Sequence, residues 1–288
     1  MKTSKRLIPA MALTAALFSG LANAGMISVV GTRSELSTIS TAFSSYGDTV
    51  TQYGDWSSLT TAQLDSIFSS DIVWEGDIFN ALSADVQNRM IGYVQGNGGL
   101  FLTGERPCCD SHNNSVQAVG RTLTGDTGLL VGNLGVDIFD HRFSTSPTTI
   151  LTAPNDIRGQ AAQHNGPGRV QPTAGVLSDA CFITSEGATI CTAAAWGPDA
   201  LADPFGRLVI YGDINSQPSL VTNFNGDQFE NIRQFLLAGF TGGGDVCIDN
   251  PSLPGCSPNN DVPEPGTLAL AALGLLGLAR RRAAKQAG

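Results

Sequence analysis

A glutamate and a histidine lie close together in the middle of the chain and could carry acid–base chemistry. Glu105 follows an apolar run that ends at Gly104, and His112 comes shortly after it. Both types of side chain often transfer protons in enzymes. Asp77 and Asp213 follow two further apolar runs, so either carboxylate could face Glu105. If the domain is an enzyme, we expect Glu105 as general acid or base, His112 as its partner and Asp213 opposite, a set that suits hydrolysis of a glycosidic bond.

A structural role explains the same glutamate without any reaction. Glu105 is followed directly by Arg106, and Arg33 follows the first apolar run of the chain. A carboxylate that pairs with either arginine would be a satisfied polar group at the rim of a sheet. We favour this structural interpretation over catalysis, which remains the alternative.

A second group of residues near Glu105 has the side-chain types of zinc ligands. It consists of Cys108, Cys109, Asp110 and His112. Their spacing differs from the paired C-x-x-C pattern of structural zinc sites. Disulfide formation is therefore favoured over zinc binding, and we expect no metal and no cofactor.

Oxygen-bearing side chains gather near the end of the domain and could suit calcium, although their spacing is not that of an EF-hand. They are Asp213, Asn215, Asn223, Asn225, Asp227 and Glu230. In the structural alternative, which is favoured, Asn225 caps the last helix and Asp213 hydrogen-bonds the loop after its strand. Asp213, Asn215 and Asp227 are kept only as weak calcium candidates.

Six cysteines in one chain fit an oxidising compartment. The Cys181–Cys191 pair brackets two short strand-like runs around a Ser-Glu-Gly turn, which predicts a bridge across a hairpin. The Cys247–Cys256 pair lies in a stretch rich in Pro, Gly and Asn and is predicted to close a small loop. The adjacent Cys108 and Cys109 leave three options open: a vicinal bridge, pairing elsewhere, or a metal site.

Apolar runs that alternate with amphipathic segments predict the scaffold that must position these residues. The predicted strands are 26–31, 49–53, 71–76, 100–104 and 207–213, and the predicted helices are 34–46, 59–68, 84–95 and 229–240. This alternation indicates an α/β fold with a doubly wound, mostly parallel, flavodoxin-like sheet. Such sheets bind ligands at the carboxyl ends of their strands, here 31–33, 75–77, 104–106 and 213–215.

Residues 107–205 are predicted to be an insertion rich in strands and loops beside the sheet. The segment is rich in Gly, Thr, Ser, Asn and Pro and contains all three histidines. Its β-like runs are 128–131, 148–151 and 181–191. The exported domain as a whole is predicted to span 25–240.

The first 24 residues are typical of a secretory signal peptide. Residues 2–6 contain three basic side chains, and 7–18 are apolar. Ala22 and Ala24 match the small-residue rule of signal peptidase, so we expect cleavage before Gly25. An uncleaved anchor is the alternative, but the apolar run is short for a bilayer.

The C-terminus carries a second sorting pattern at 263–288, after a Gly- and Pro-rich stalk at 241–262. The tripeptide of Pro263, Glu264 and Pro265 precedes an apolar run at 266–279, and Arg280, Arg281 and Arg282 follow it. As a helix the run would reach about 21 Å, which spans a bilayer core of about 30 Å only marginally. The arginines should stay cytoplasmic. A plain tail anchor is the alternative.

This order of tripeptide, short apolar helix and basic cluster resembles the PEP-CTERM sorting signal of Gram-negative bacteria. The resemblance implies processing by an exosortase, a membrane transpeptidase that is thought to cleave near the motif. It implies export through the inner membrane, transient anchoring by the C-terminal helix, and then a place on the cell surface or in the extracellular matrix. The implied partners are signal peptidase, the exosortase and the inner membrane, with extracellular polysaccharide as a further candidate.

The charge of the exported part argues against nucleic acid as a partner. Residues 25–262 contain nine arginines and no lysine against 24 Asp and Glu, a net charge of −15. Such a surface repels phosphates, and no basic patch in the sequence offsets it.

The segments 86–105 and 206–213, with Asn231 beyond them, resemble the class I glutamine amidotransferase-like superfamily. The pattern is closer to ThuA-like and related domains than to true amidotransferases, and it covers about half of the exported domain. The resemblance implies a fold and not an activity. True amidotransferases place a nucleophilic cysteine where this chain has Glu105, so we expect no glutamine hydrolysis. The sequence thus predicts a non-catalytic binding or structural domain, with a polysaccharide hydrolase as the alternative.

Overall fold

The computed structural model describes residues 24–132, 141–185, 187, 189–222 and 226–238. They belong to one compact unit that extends to Gly244, and a second unit begins at Asp245. Most of the predicted signal peptide, the stalk, the Cys247–Cys256 bridge and the sorting signal with its helix at 266–279 lie outside the described residues. No helix in the described ranges is long and apolar enough to cross a membrane.

A nine-stranded mixed sheet forms the centre of the described unit. The strands are β1 (Met26–Val30), β2 (Thr49–Tyr53), β3 (Ile72–Glu75), β4 (Gly99–Thr103), β5 (Leu130–Gly132), β6 (His141–Phe143), β7 (Ala161–Ala162), β8 (Arg169–Gln171), β9 (Cys181–Ser185), β10 (Cys191–Trp196) and β11 (Arg207–Tyr211). The strand order is β2-β1-β3-β4-β11-β10-β9-β6-β7, while β5 and β8 pair separately. Across the sheet, the five strands from β2 to β11 run parallel to one another. The pairs from β11 to β7 are antiparallel.

Helices cover both faces of the sheet. They are α1 (Glu35–Ser45), α2 (Thr61–Ile67), α3 (Ala84–Gln95), α4 (Asp110–Thr124), α5 (Thr149–Thr152), α6 (Gln217–Thr222) and α7 (Asp227–Leu237). The apolar residues of α1, α5, α6 and α7 pack in one core, and those of α2, α3 and α4 pack in the other. Strand side chains alternate between the cores, so Phe101 faces the first and its neighbours Leu100 and Leu102 face the second. The winding on both faces is thus as predicted.

An aromatic group fills the first core beneath the parallel strands. The rings of Trp74 and Phe101 stack with their centroids 3.6 Å apart. Phe43 of α1 meets Trp74 edge-on at 5.4 Å and Phe229 of α7 at 4.8 Å. Aromatic pairs of this kind add about 0.5–1.5 kcal/mol beyond burial of their area. They join two helices that are distant in sequence to the same two strands.

The insertion differs from the fold prediction in three respects. Its strands β10, β9, β6 and β7 join one edge of the sheet instead of lying beside it, so the sheet is mixed, with a parallel half from β2 to β11. The insertion also contains the longest described helix, α4, where strands and loops were expected. Residues 148–151, predicted as β-like, lie largely in the short helix α5. Short apolar runs do not distinguish the two structures by periodicity alone.

A buried ion pair links the amino-terminal strands to the last described helix. Arg233 of α7 donates through Nε and NH2 to the two oxygens of Asp48, each at 2.6 Å. Both side chains are almost completely buried, with 1% and 0% exposure. Removing one partner of such a pair leaves a buried charge without compensation.

We therefore predict that Arg233→Met lowers the free energy of unfolding by about 3–5 kcal/mol. Arg89, which is half-buried and contacts the exposed Asp65 and Asp85, provides the matched control. Arg89→Met should cost at most about 1 kcal/mol, because exposed pairs contribute little. Urea unfolding of the two variants measures both changes. Equal losses in the two variants would contradict the role of the buried pair.

Candidate functional site

Four candidate residues from the sequence and one further carboxylate, Glu75, lie near the ends of β3, β4 and β11 at one edge of the sheet. We call these five side chains the strand-end cluster: Glu75, Asp77, Glu105, His112 and Asp213. Each exposes 2% or less of its surface. Burying a charge is costly unless it is paired and hydrogen-bonded. The partners of these five side chains therefore decide which chemistry they can perform.

His112 lies in the first turn of α4 and is completely buried. Its Nδ1 is 3.1 Å from the carbonyl oxygen of Asn80, and its Nε2 is 3.0 Å from the carbonyl oxygen of Thr103. A carbonyl oxygen only accepts hydrogen bonds, and a neutral imidazole has a single N–H. Both contacts are hydrogen bonds only if both nitrogens carry a proton. The geometry therefore makes His112 an imidazolium.

Glu75 supplies the opposite charge. Its Oε2 lies 3.6 Å from Nε2 of His112 and accepts the N–H of Thr103 at 3.0 Å, while Oε1 accepts the N–H of Asp77 at 2.7 Å. Burial alone would lower the pKa of His112, but the charge and hydrogen bond of Glu75 and the two carbonyls outweigh it and raise the pKa to about 9. The structure thus pairs His112 with Glu75, which the sequence analysis did not select as a site residue, and not with Glu105.

Side-chain hydrogen bonds extend this pair into the first core. Thr103 donates through Oγ1 to the carbonyl oxygen of Glu75 at 2.6 Å. Gln217 of α6 donates to the same hydroxyl at 2.8 Å and accepts the indole N–H of Trp74 at 3.0 Å. Every side chain in this chain of contacts is buried. The ends of β3, β4 and the first turns of α4 and α6 are therefore fixed to one another.

Glu105 occupies the turn after β4 and is held there by Asn113. Its N–H donates to Oδ1 of Asn113 at 3.0 Å, and its carbonyl accepts from Nδ2 at 2.8 Å. The carboxylate accepts the N–H groups of Arg106 at 2.9 Å and Ile214 at 3.3 Å. Burial raises the pKa of Glu105 to about 7; the Arg106 N–H opposes this shift and the charge of Asp213 adds to it. Glu105 thus exchanges a proton near neutral pH.

Asp213 binds its own loop and a loop of the insertion. Its Oδ1 accepts the N–H groups of Asn215 at 2.9 Å and Ser216 at 3.2 Å. Its Oδ2 accepts the hydroxyl of Ser216 and the N–H of Asn165. Asp213 thus makes the hydrogen bonds to the loop after its strand that the structural alternative expects.

The calcium candidates have other contacts. Asn215 accepts a hydrogen bond from Arg33 at 3.2 Å, and Asp227 opens α7. Asn223 and Asn225 lie outside the described residues. Within the described ranges, no three His, Cys, Asp or Glu side chains are grouped so that they could hold a metal ion.

Protein atoms fill the crevice between the ends of β1 and β3, where a doubly wound sheet of this strand order would bind a ligand. A Cβ placed on Gly31 would lie 3.0 Å from the backbone of Gly76 and 2.8 Å from Leu36. One placed on Gly76 would overlap Leu36 as well. Leu36, at the start of α1, therefore closes the space that a ligand would need.

A segment of the insertion covers the ends of β4 and β11 in the same way. A Cβ on Gly168 would overlap the carbonyl group of Glu105, so the two backbones are in direct contact. The N–H of Gly168 donates to the carbonyl of Gly212 at 2.7 Å. With the Asn165 bond to Asp213, these contacts hold the segment 165–168, which we call the cover segment, over the strand ends. Sequence patterns gave no sign of it, since its contacts are made by backbone atoms.

The structure also brings together two pairs of titratable side chains whose pairing the sequence did not indicate. Asp55 and Asp77 share a hydrogen bond: it lowers the pKa of Asp55 to about 2, while burial and then this bond raise the pKa of Asp77. His141 and His164 lie with ring centroids 4.8 Å apart, and burial lowers the pKa of His164 well below its usual value. Within the described part, neither ring nitrogen of His164 has a hydrogen-bond partner.

Both disulfides of the described ranges involve cysteines that the sequence singled out. The Cys181–Cys191 bridge joins the adjacent strands β9 and β10 and confirms the hairpin prediction. Cys108 and Cys109 form a vicinal bridge, which decides among the three options left open. The bridge precedes α4, and Cys109 packs with Ile78 and Ile214 beneath the rim.

A model of the PEP-CTERM protein-sorting motif matches residues 261–283. The chain carries a PEP-CTERM sorting motif. The motif indicates an exported protein that an exosortase processes at the membrane, with transient anchoring before surface display. No curated protein matches the chain in sequence.

Solved structures resemble the described fold at low sequence identity. The mmIFT52 N-terminal domain is 12% identical, with a TM-score of 0.52 over 75% of this chain and 98% of that one. A ThuA-like protein from Bacteroides uniformis is 10% identical, with a TM-score of 0.41 over 75% and 93%. The first likeness supports the fold alone, and the second is too low to carry an argument.

Because His112 is an imidazolium in the folded protein, we predict that the free energy of unfolding falls as pH rises from about 6.5 to about 9. Its pKa of about 9 lies above the unfolded value of about 6.5. The folded protein therefore keeps a proton that the unfolded chain loses in this window, and linkage gives a loss on the order of 3 kcal/mol. Urea unfolding across this range measures it.

Two variants separate this effect from that of Glu105. Glu105 also has a raised pKa, so its contribution should be lost at lower pH, between about 4.5 and 7. Glu105→Gln should remove the lower step and retain the alkaline one. His112→Gln should be less stable near pH 6 and should lose the alkaline step. An unchanged alkaline step in His112→Gln would show that another group causes it.

Proposed function

We propose that this protein is delivered to the cell surface or extracellular matrix of a Gram-negative bacterium, where residues 25–240 serve as a non-catalytic binding or structural domain. Signal peptidase would remove 1–24, and the exosortase would act at the Pro263-Glu264-Pro265 motif. The stalk at 241–262 would separate the domain from the membrane until processing. An extracellular polysaccharide is the proposed partner, since a net charge of −15 over 25–262 disfavours nucleic acid.

The occupied strand ends are the observation that carries the non-catalytic role. Both nitrogens of His112 donate to carbonyl groups, and four donors contact the carboxylate of Asp213. Leu36 fills one crevice, and the cover segment at 165–168 lies over the other strand ends. A general acid or base must come within hydrogen-bond reach of the substrate atom, directly or through one water. The arrangement instead favours a rigid scaffold whose partners bind outside the strand ends.

The alternative is a hydrolase that acts on envelope or matrix polysaccharide, and one observation favours it. Glu105 has a pKa of about 7 next to the charge of Asp213. Carboxyl groups with a perturbed pKa are common in active sites. Because His112 is already paired with Glu75, Asp213 would have to replace it as the partner of Glu105. The cover segment would also have to move away from Glu105.

The sorting proposal predicts the fate of a variant with alanine at 263, 264 and 265. Without the recognised tripeptide, the protein should remain in the inner membrane with Arg280 to Arg282 still attached. Alanine at Pro251 and Pro254 of the stalk is the matched control and should leave release unchanged. Cell fractionation and intact mass in an exosortase-bearing host distinguish these results. Normal release and mature mass of the tripeptide variant would refute the proposal.

The non-catalytic proposal predicts no ammonia release from glutamine and no release of reducing sugar from matrix polysaccharide. If a glycosidase activity is found, Glu105→Gln should lower it by about a hundredfold or more, because the variant loses the proton-transfer group and keeps the shape. Its melting temperature should stay within a few degrees. Glu35→Gln is the activity control, because Glu35 also follows the end of a parallel strand, at the start of α1. A fully active Glu105→Gln would exclude this residue from the reaction.

A further inference from the structure

The first residue of the predicted mature chain has its nitrogen in an acidic site. Gly25 is buried, whereas Ala24 before it is exposed. The N–H of Gly25 donates to Oδ1 of the buried Asp48 at 2.9 Å. The next N–H, that of Met26, donates to Oδ2 of Asp71 at 2.6 Å. The bond between Ala24 and Gly25, where signal peptidase should cut, thus lies at the border between solvent and two carboxylates.

Two carboxylates and one guanidinium lie at this site, and the carboxylates of Glu230 and Asp227 act on its Tyr46 as well. Asp48 and Asp71 contribute the carboxylates, and Arg233 contributes the guanidinium, which donates to both oxygens of Asp48. Tyr46 lies under that guanidinium, 5.3 Å from ring centroid to Cζ, and stays a neutral phenol because burial first of all raises its pKa. Burial raises the pKa of Asp71, and the charge of Asp48 adds to this. One further cation would balance the two carboxylates and the guanidinium.

Glycine is the residue that allows its nitrogen to approach this closely. A Cβ on Gly25 would lie 2.9 Å from Cδ2 of Leu237 and 3.2 Å from Cδ1 of Ile27. The carbonyl of Gly25 accepts the N–H of Thr49 at 2.9 Å, so its position is fixed on both sides. A larger first residue would require the tip of the Leu237 side chain of α7 to shift.

We propose that this pocket binds the α-ammonium group that signal peptidase creates on Gly25. The inference rests on the proposed export. Hydrolysis breaks the Ala24–Gly25 amide: the hydroxyl of water joins the Ala24 carbonyl carbon, which leaves as a carboxylate, and the Gly25 nitrogen becomes an ammonium. The precursor has one neutral N–H at this place, and the mature chain has a positive charge with three N–H donors. Cleavage therefore stabilises the exported fold.

Three versions of the domain test the pocket: one that begins at Gly25, one that begins at Ala24, and one that begins at N-acetylated Gly25. The acetylated chain is the matched control, since it retains the N–H and lacks the charge. The free Gly25 chain should have a folding equilibrium constant about ten- to a hundredfold larger than the other two. Urea unfolding near pH 6.5 measures the ratio. The titrations of His112 and Glu105 contribute equally to the stability of all three chains, so they do not affect the ratio.

The ratio should also depend on pH in a defined direction. The unfolded ammonium has a pKa of about 8, and the carboxylates raise it in the folded chain, so the advantage is complete below about pH 8 and is lost as pH rises further. Equal stability of the three chains, or an advantage that persists in alkali, would overturn the pocket. N-terminal sequencing of the exported protein should find Gly25 first. A different first residue would overturn the role of signal peptidase, independently of the exosortase step.

Discussion

The buried ion pair between His112 and Glu75 is the interaction on which the strand-end edge depends. Because an imidazolium without solvent needs an acceptor at each nitrogen and a negative charge nearby, three separate parts of the chain must meet around it. The carbonyls of Asn80 and Thr103 and the carboxylate of Glu75 meet these needs. Placing one charge thus fixes the loop after β3, the end of β4 and the start of α4 together.

This requirement explains why the edge has the features of an active site without an accessible one. Titratable groups at the carboxyl ends of parallel strands are expected to serve ligands. Here Glu75 and His112 form an ion pair with each other. Asn113, one residue further along α4, hydrogen-bonds both the N–H and the carbonyl of Glu105 and so holds its turn. The pKa of Glu105 itself is raised to about 7, chiefly by burial. The same helix that neutralises Glu75 therefore also immobilises the candidate catalytic carboxyl group.

The sequence revealed those elements whose pattern is local. The helix predicted at 84–95 and the strand predicted at 49–53 have the observed bounds, and the first is capped by Ser83 as its sequence suggests. Helix α4 has apolar side chains at 116, 119 and 123. Its Ser, Asn, Gly and Thr residues are weak helix formers, so the sequence of this segment does not by itself indicate a helix. The partnership of His112 with Glu75 joins residues far apart in sequence, and no spacing rule predicts it. The cover segment is similarly non-local.

The scarcity of basic residues gives these individual contacts a common cause. Residues 25–262 have nine arginines and no lysine for 24 acidic side chains, so buried carboxylates are neutralised in several different ways. Asp48 uses Arg233, Glu75 uses the imidazolium, and Glu105 is partly protonated near pH 7. In each case the carboxyl group interacts with other protein groups instead of solvent and becomes part of the structural framework. An acidic chain is therefore compatible with a packed interior because its buried carboxylates meet a cation, hydrogen-bond donors or a proton.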